Sequence, residues 1–165
     1  MNEKTEHKTE TENGSADRFL SFSLGKEQYA IPLLSVKEVI AVPEITPIPH
    51  TPPHFLGLMN LRGQVISVID LRQKLGIKSE GGSETSIIIC DLDPLCVGVV
   101  VDSINSVLAP DASQISDPPP VQSTKNTDYI TGVCRIEQDL VVLLHIGKAL
   151  SVEDMRAIKQ GTKAA

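Results

Sequence analysis

From Arg18 the chain alternates: Leu20, Phe22 and Leu24 are separated by Ser21 and Ser23, a period of two that predicts a half-buried strand. Gly25-Lys26-Glu27-Gln28 reads as a tight connection and Tyr29-Ala30-Ile31 as the returning strand of a hairpin. Pro32 suits the first turn of a helix, where its missing N–H costs nothing. Leu33, Val36 and Ile40 follow at helical spacing and predict a helix of about eight or nine residues. Pro43, Pro47, Pro49, Pro52 and Pro53 forbid regular helix across the next stretch. Residues 54–60 then read as a short helix leading into a turn at Asn60-Leu61-Arg62. Residues 65–69 are almost continuously apolar, as expected of a strand covered on both faces. Asp70 is a candidate N-cap for a helix over 71–75, with Gly76 as its stop.

Residues 78–84 are polar and contain Gly, which predicts a loop. Two apolar runs, 86–92 and 96–104, read as strands joined through Asp93-Pro94, with Val107-Leu108 a further short strand. Residues 111–128 are polar and contain Pro118-Pro119-Pro120, so they are expected to run as an extended surface loop. Residues 130–136 and 140–146 form a second hairpin around Glu137-Gln138-Asp139. Ser151 with Asp154 makes a capping box for a helix over 152–160, with Asp standing where Glu is preferred. The pattern gives about nine or ten short strands and three or four short helices, which favours a barrel or sandwich over a doubly wound α/β fold. No internal repeat is visible.

Composition narrows the picture. The 165 residues fit one domain or two intimate small ones. Residues 1–16 carry Glu3, Lys4, Glu6, Lys8, Glu10 and Glu12 among polar residues, with Met1 and Ala16 as their only apolar side chains. Such a segment cannot bury enough surface to offset its ordering entropy, so a disordered acidic tail is expected. The remainder, about 150 residues, is long enough to bury a real core. The net charge is −6, no Lys/Arg cluster stands out and aromatics are only 3%, which argues against nucleic acid as a partner. Cys90, Cys96 and Cys134 are odd in number and lack CxxC spacing, so a reducing, cytosolic setting is expected. The N-terminus lacks the apolar run of a secretory signal. Apolar runs such as Cys96–Val101 are far shorter than the roughly 20 residues a membrane helix needs.

Reactive constellations are not evident. His50 and His54 are spaced i,i+4, but Pro52 and Pro53 between them prevent a helix from presenting both to a metal. The cysteines read as small core hydrophobes. GxSxG, P-loop and GxGxxG motifs are absent from the sequence, and Glu38, Asp70, Asp91, Asp93 and Asp102 form no pair set apart by its surroundings. Neither an enzyme nor a cofactor is expected. Arg62 carries more information. It precedes Gly63 and lies beside an apolar strand, and an unpartnered buried guanidinium would cost several kcal/mol. It is therefore exposed or paired, with Glu38 as the candidate partner. That pair either braces the fold or offers a cation to another protein, and the two roles are compatible. Val36, Ile40, Val97, Val99 and Val101 read as core, with the alternative that some line an exposed aliphatic groove.

These residues carry a resemblance. Phe19-Leu20-x-Phe22-x-Leu24-Gly25, Tyr29-x-Ile31, Val36-x-Glu38, Thr51-Pro52, Gly57, Asn60-Leu61-Arg62-Gly63, Asp70-Leu71-Arg72, Val97-Gly98-Val99-Val100-Val101-Asp102 and Tyr129-Ile130-Thr131-Gly132 stand in order over about 18–150. In this the chain resembles the CheW family of bacterial chemotaxis coupling proteins. The resemblance implies a mainly β fold of two intertwined five-stranded SH3-like barrels over 17–150 with a few short helices, then a C-terminal helix and tail over 151–165. It implies a non-enzymatic, cytoplasmic adaptor joining chemoreceptor tips to the histidine kinase CheA, and touching the membrane only through receptors. A CheW-like adaptor of another pathway, such as twitching or gene regulation, is the alternative. By the same resemblance Val36, Glu38 and Gly57 fall on a kinase-binding face, and Arg62, Ile87, Val97, Gly98 and Ile104 along a receptor groove. Its Pro-rich 50–54 segment and Pro118-Pro119-Pro120 depart from what the family leads one to expect and bear on loop conformation.

Overall fold

The computed structural model describes residues 18–78, 85–118 and 128–163. The expected tail over 1–16, most of the 78–84 loop and the middle of the 111–128 loop lie outside the described residues. The described chain runs β1 (Phe19–Leu24), β2 (Glu27–Pro32), β3 (Val36–Ala41), β4 (Phe55–Leu61), β5 (Gln64–Asp70), α1 (Leu71–Lys74), β6 (Ser86–Asp91), β7 (Cys96–Val101), β8 (Ser103–Leu108), β9 (Ile115–Ser116), β10 (Ile130–Ile136), β11 (Asp139–Leu144), α2 (Ile146–Ala149) and α3 (Val152–Lys163). One-turn 3-10 helices occupy Leu33–Ser35 and Ala112–Gln114.

Two expected helices are strands. Pro32 starts only the 3-10 turn, and residues 36–41 then extend as β3. Val36, Val39 and Ile40 are β-branched and stiff at χ1, and Val36, Glu38 and Ile40 alternate with exposed neighbours. Glu38 therefore sits on a strand, not on a helix. Residues 55–61 are β4, where Phe55, Gly57 and Met59 point inward at period two. The expected strand over 96–104 is divided at Asp102 into β7 and β8, and β8 absorbs Val107 and Leu108. The 111–128 region is not uniformly loop, because β9 adds to a sheet edge. Ser21, expected on a solvent face, is buried against the adjoining strand, where the Ser106 N–H donates to its Oγ at 3.2 Å.

The strands form two sheets, one of six in the order β8-β1-β2-β11-β10-β9 and one of five in the order β3-β6-β7-β5-β4. Removing the two-residue β9 leaves the same architecture twice. In both sheets the second and third strands are an antiparallel hairpin, the third pairs in parallel with the fourth, and the fourth and fifth are a hairpin. The registers match in detail. The β3–β6 ladder shifts between Val36 and Glu38 as the β8–β1 ladder does near Ile104, and the β4–β5 shift at Gly57 corresponds to that at Gly132 in β10–β11. Val36 thus matches Ile104, Val39 matches Val107, and Asp70 matches His145, each of the last two capping a one-turn helix. The halves interlock because β1 and β2 precede the five-stranded unit and β8 to β11 follow it.

The core follows this duplication. Met59, Ile66, Val68, Ile87, Ile89 and Val100 fill the five-stranded half, and Ala30, Cys134, Val141 and Leu143 the six-stranded half. Between them a larger cluster draws Leu20, Phe22 and Ile31 from one sheet and Ile69, Ile88, Val97, Val99 and Val101 from the other. β6 and β7 are buried on both faces, which explains their unbroken apolar runs.

Candidate functional site

The Asn60-Leu61-Arg62-Gly63 motif is the tip of the β4–β5 hairpin. Leu61 pairs with Gln64, leaving Arg62 and Gly63 as a two-residue turn with φ of 51° and 86°. Two positive φ values in succession are what a type I′ turn demands, and glycine supplies the second without strain. The Gly63 N–H donates to Asn60 Oδ1 at 2.9 Å, so Asn60 holds the turn. The turn carries Arg62 outward, where its Nη2 donates to Glu38 Oε1 at 2.7 Å. The Arg62 side chain is 70% exposed and that of Glu38 31%. An ion pair so wet contributes at most about 1 kcal/mol, so bracing the fold is a minor role for it. The guanidinium faces solvent, and its fork of N–H donors can meet a second acceptor beside Glu38.

Beside this pair runs β3, an edge strand of the five-stranded sheet. Val36 is half-buried against the cluster between the halves, and Val39 is 40% exposed. On the same strand the neighbouring Cys96 sulfur raises the pKa of the Lys37 ammonium. β8 is the corresponding edge of the other sheet, with Ile104 half-buried on the same cluster and Val107 52% exposed. The structure therefore sets Val36 and Ile104, expected on different faces, at equivalent positions against one shared core.

Three expected receptor-groove residues present no surface. Ile87 and Val97 are fully buried, Ile87 inside the five-stranded half and Val97 between the halves. Gly98 is buried too, and a Cβ there would lie 2.9 Å from Ile87 Cγ2. Central strands β6 and β7 have neighbours on both sides, so their side chains support an outer surface instead of forming it. Gly57 is also covered. Its φ is +142°, and a Cβ would fall 2.1 Å from the Thr46 carbonyl oxygen, because the segment around Thr46 bridges to Leu58 directly above it.

Other features escaped the sequence reading. An open groove of about 690 Å³ lies at the junction of the halves, lined by Leu34, Asp91, Leu92, His145, Lys148 and Met155 among others. Leu34, at 80% exposure, stands on its rim. His145 accepts the Lys148 N–H on Nδ1 at 3.1 Å. Nothing in the spacing of these residues brings them together; only the permuted topology does. The three cysteines are buried, as expected of small core hydrophobes, and burial pushes the Cys90 thiol up to about 12 and also raises Cys134. Among the described residues no group of His, Cys, Asp or Glu is placed to hold a metal ion.

A buried ionic network was also missed. Arg72 Nε and Nη2 donate to Asp70 Oδ1 and Oδ2 at 2.9 and 3.0 Å, and its Nη1 donates to Asp102 Oδ1 at 2.8 Å. The Asp70 hydrogen bonds come first among the causes that hold the Arg72 guanidinium above its ordinary pKa. Farther along, Asp154 is fully buried and accepts from Lys74 Nζ at 2.7 Å, from the Ser151 N–H at 2.9 Å and pairs with His54 Nε2. Burial alone would raise its carboxyl, but the Lys74, Ser151 and His54 hydrogen bonds together hold it below the usual value. Among the described residues no helix is long and apolar enough to cross a membrane.

Comparison with known proteins meets this geometry. A family model described as CheW-like domain matches residues 18–154. Chemotaxis protein CheW of Klebsiella aerogenes is 35% identical over 147 residues, covering 88% of this chain and 89% of that protein. Protein FrzA of Myxococcus xanthus is 28% identical, covering 85% of this chain and 89% of its own length. The crystal structure of scaffolding protein TtCheW from Thermoanaerobacter tengcongensis superimposes with a TM-score of 0.76 at 31% identity, covering 84% of this chain and 95% of that one. With the domain match spanning both halves and the edge strands that flank their junction, the chain belongs to the CheW-like domain family.

Proposed function

We propose that this protein is a non-enzymatic adaptor that joins the cytoplasmic tips of chemoreceptors to the histidine kinase CheA. The observation that carries the reading is the match along nearly the whole chain to relatives named chemotaxis protein CheW. The site agrees with it. Half-buried aliphatic edge strands and an open junction groove suit helix-in-groove and edge contacts between proteins. On this reading Val36, Glu38 and the strap over Gly57 form the kinase-facing side, with Gly57 acting through the strap it accommodates. The receptor helix lies across the junction near Ile104, steered by Arg62, while Ile87, Val97 and Gly98 support that surface from beneath. The protein works in the cytoplasm and reaches the membrane through receptors. Individually weak contacts gain strength when many adaptors engage an array.

A second reading keeps the surfaces and changes the pathway: a CheW-like adaptor for twitching or gene regulation. It is favoured by the match to a relative with a different name, Protein FrzA. Co-sedimentation with receptor-containing membranes, with and without CheA, tests the main reading. CheA is expected in the pellet only when the adaptor is present. If the adaptor stays in the supernatant under both conditions, the receptor-coupling role is wrong; recovery of a different histidine kinase by pulldown selects the second reading.

A further inference from the structure

We propose that α1 is the bracket that fixes how the two halves sit on one another, making Arg72 and Asp102 positioning residues for a partner that must touch both. The inference rests on the adaptor reading, in which the receptor helix is that partner. α1 is a single turn, too short to persist on its own. Its polar side chains are nevertheless among the best-bonded in the molecule. Asp70 caps it by accepting the Arg72 N–H at 3.0 Å and receives two further bonds from the Arg72 guanidinium. The third reaches Asp102. Asp102 lies between β7 and β8, where the chain leaves the five-stranded half for the six-stranded one. The second Asp102 oxygen accepts the Gly25 N–H at 2.6 Å, and Gly25 belongs to the β1–β2 turn of the six-stranded half. One guanidinium and one carboxylate thus tie α1 to the opposite half, with the three side chains at 15%, 6% and 9% exposure. At the other end of α1, Lys74 pairs with Asp154 of α3, which follows the last strand of the six-stranded half.

Two considerations make this more than local bracing. Apart from this clamp, the Lys74–Asp154 and His54–Asp154 pairs and the Asp102 N–H bond to the Ser23 carbonyl, the contact between the halves is a largely aliphatic cluster, and apolar burial is non-directional. It holds two bodies together without fixing their angle. A forked guanidinium accepted by two carboxylates does fix it. The duplicated topology also supplies a control. His145 takes the place of Asp70 and Gly147 that of Arg72 in the other half, and α2 still forms. A one-turn helix after this hairpin therefore needs no guanidinium clamp, so the clamp answers a different requirement. The junction groove draws its lining from both halves, so its shape depends on their angle. A partner gripping one half should be indifferent to that angle. If loss of the clamp leaves the competent arrangement populated only about a tenth of the time, apparent affinity for the spanning partner falls about tenfold.

Asp102→Ala is the cleaner test, because it removes both acceptor oxygens, for Arg72 and for the Gly25 N–H, and leaves the Asp70–Arg72 pair inside one half; Arg72→Met is the second variant. Two readouts are taken on the full chain. The first is the distance distribution between spin labels at Glu44→Cys and Arg135→Cys, exposed positions on opposite halves. It is expected to broaden in both variants, and an unchanged distribution overturns the bracket whatever the partners are. The second is binding to receptor-containing membranes and, separately, to the isolated CheA regulatory domain. Receptor affinity is expected to fall about tenfold with kinase-domain affinity within about twofold. Equal losses for both partners, or none for either, overturn the positioning role. Failure of the unsubstituted protein to bind receptors would instead refute the adaptor reading, with the label distances still deciding the bracket.

Discussion

Gly57→Ala, paired with Gly132→Ala, isolates a single backbone crossing. Both glycines sit at the same place in their half, where the fourth and fifth strands shift register. At Gly57 a methyl group would meet the Thr46 carbonyl oxygen at 2.1 Å and Pro47 Cα at 2.8 Å, both backbone atoms. The φ of +142° adds a conformation that L side chains rarely adopt. The strap must lift, and its two bonds break: Thr46 N–H to Leu58 O and Leu58 N–H to Thr46 O, each 2.8 Å. Two lost bonds cost about 1–3 kcal/mol, and the strained backbone about 1–3 kcal/mol more. The expected loss is about 2–6 kcal/mol, a large share of the ~5–15 kcal/mol that holds a typical domain. At Gly132 a methyl group meets the Ser116 oxygen at 3.0 Å as its tightest contact, with Ile115 Cγ2 and Leu143 Cδ1 at an ordinary 3.6 Å, on a backbone that side chains do adopt. There the loss should be about 1–2 kcal/mol. At roughly 2–4 °C per kcal/mol, thermal unfolding resolves the two. Hydrogen exchange at Thr46 and Leu58 should rise in Gly57→Ala alone. A Gly57→Ala protein melting within about 2 °C of the parent, or below Gly132→Ala, refutes the crossing as the reason for the glycine.

Four further outcomes follow from the same geometry. Ser67 Oγ is buried without a hydrogen-bond partner, so Ser67→Ala should raise stability by about 1 kcal/mol in urea unfolding, and a loss of that size would mean the hydroxyl is satisfied. Asp154 has a folded pKa below its ordinary 3.8, so its contribution is complete above that value and disappears as the pH falls through the lower folded one. Unfolding free energy measured below about pH 5 should therefore drop more steeply for the parent than for Asp154→Asn, and parallel curves would contradict this. Arg62→Ala should leave unfolding free energy within about 1 kcal/mol while impairing receptor–kinase coupling; a folded variant restoring chemotaxis fully would remove Arg62 from the site. Val36→Asp should weaken CheA binding more than receptor binding, whereas equal losses would indicate plain unfolding.

Much of the strand pattern was legible because burial writes itself into alternation. β1, β5, β10 and β11 follow from period two or from unbroken apolar runs, and the Asp70 and Ser151–Asp154 caps from residue type and spacing. β3 and β4 were not. In a stretch of six or seven residues, i,i+3,i+7 and i,i+2,i+4 share positions, and Val36 and Ile40 satisfy both. The β-branched side chains, and the ladder formed with β6 far along the chain, decide for strand. For Arg62 the sequence left two outcomes, exposure or pairing with Glu38, and the structure has both at once. The Arg72–Asp102 bond could not be anticipated: thirty residues separate its ends, and neither sequence position shows that a turn of the other half supplies the next donor.

The duplication was hidden for a related reason. A tandem repeat shows itself as similarity at a fixed offset, but here the offset is not constant. β1 and β2 stand before the unit whose β6 and β7 they match, while β8 to β11 stand after it. Sliding the sequence along itself therefore aligns one part of each half and misaligns the rest. Packing preserves aliphatic character at Val36 and Ile104, at Val39 and Val107, and smallness at Gly57 and Gly132, none of which is distinctive in a chain so rich in aliphatics. The positions that would have been distinctive have diverged: Asp70 against His145, Arg72 against Gly147, Arg62 against Glu137. Hydrogen-bond register restores the correspondence because it depends on backbone alone, and it separates what the fold requires of both halves from what only one of them carries. The aliphatic edges belong to the first class. The exposed Arg62–Glu38 pair and the Arg72 clamp belong to the second, since the fold is built once without each of them.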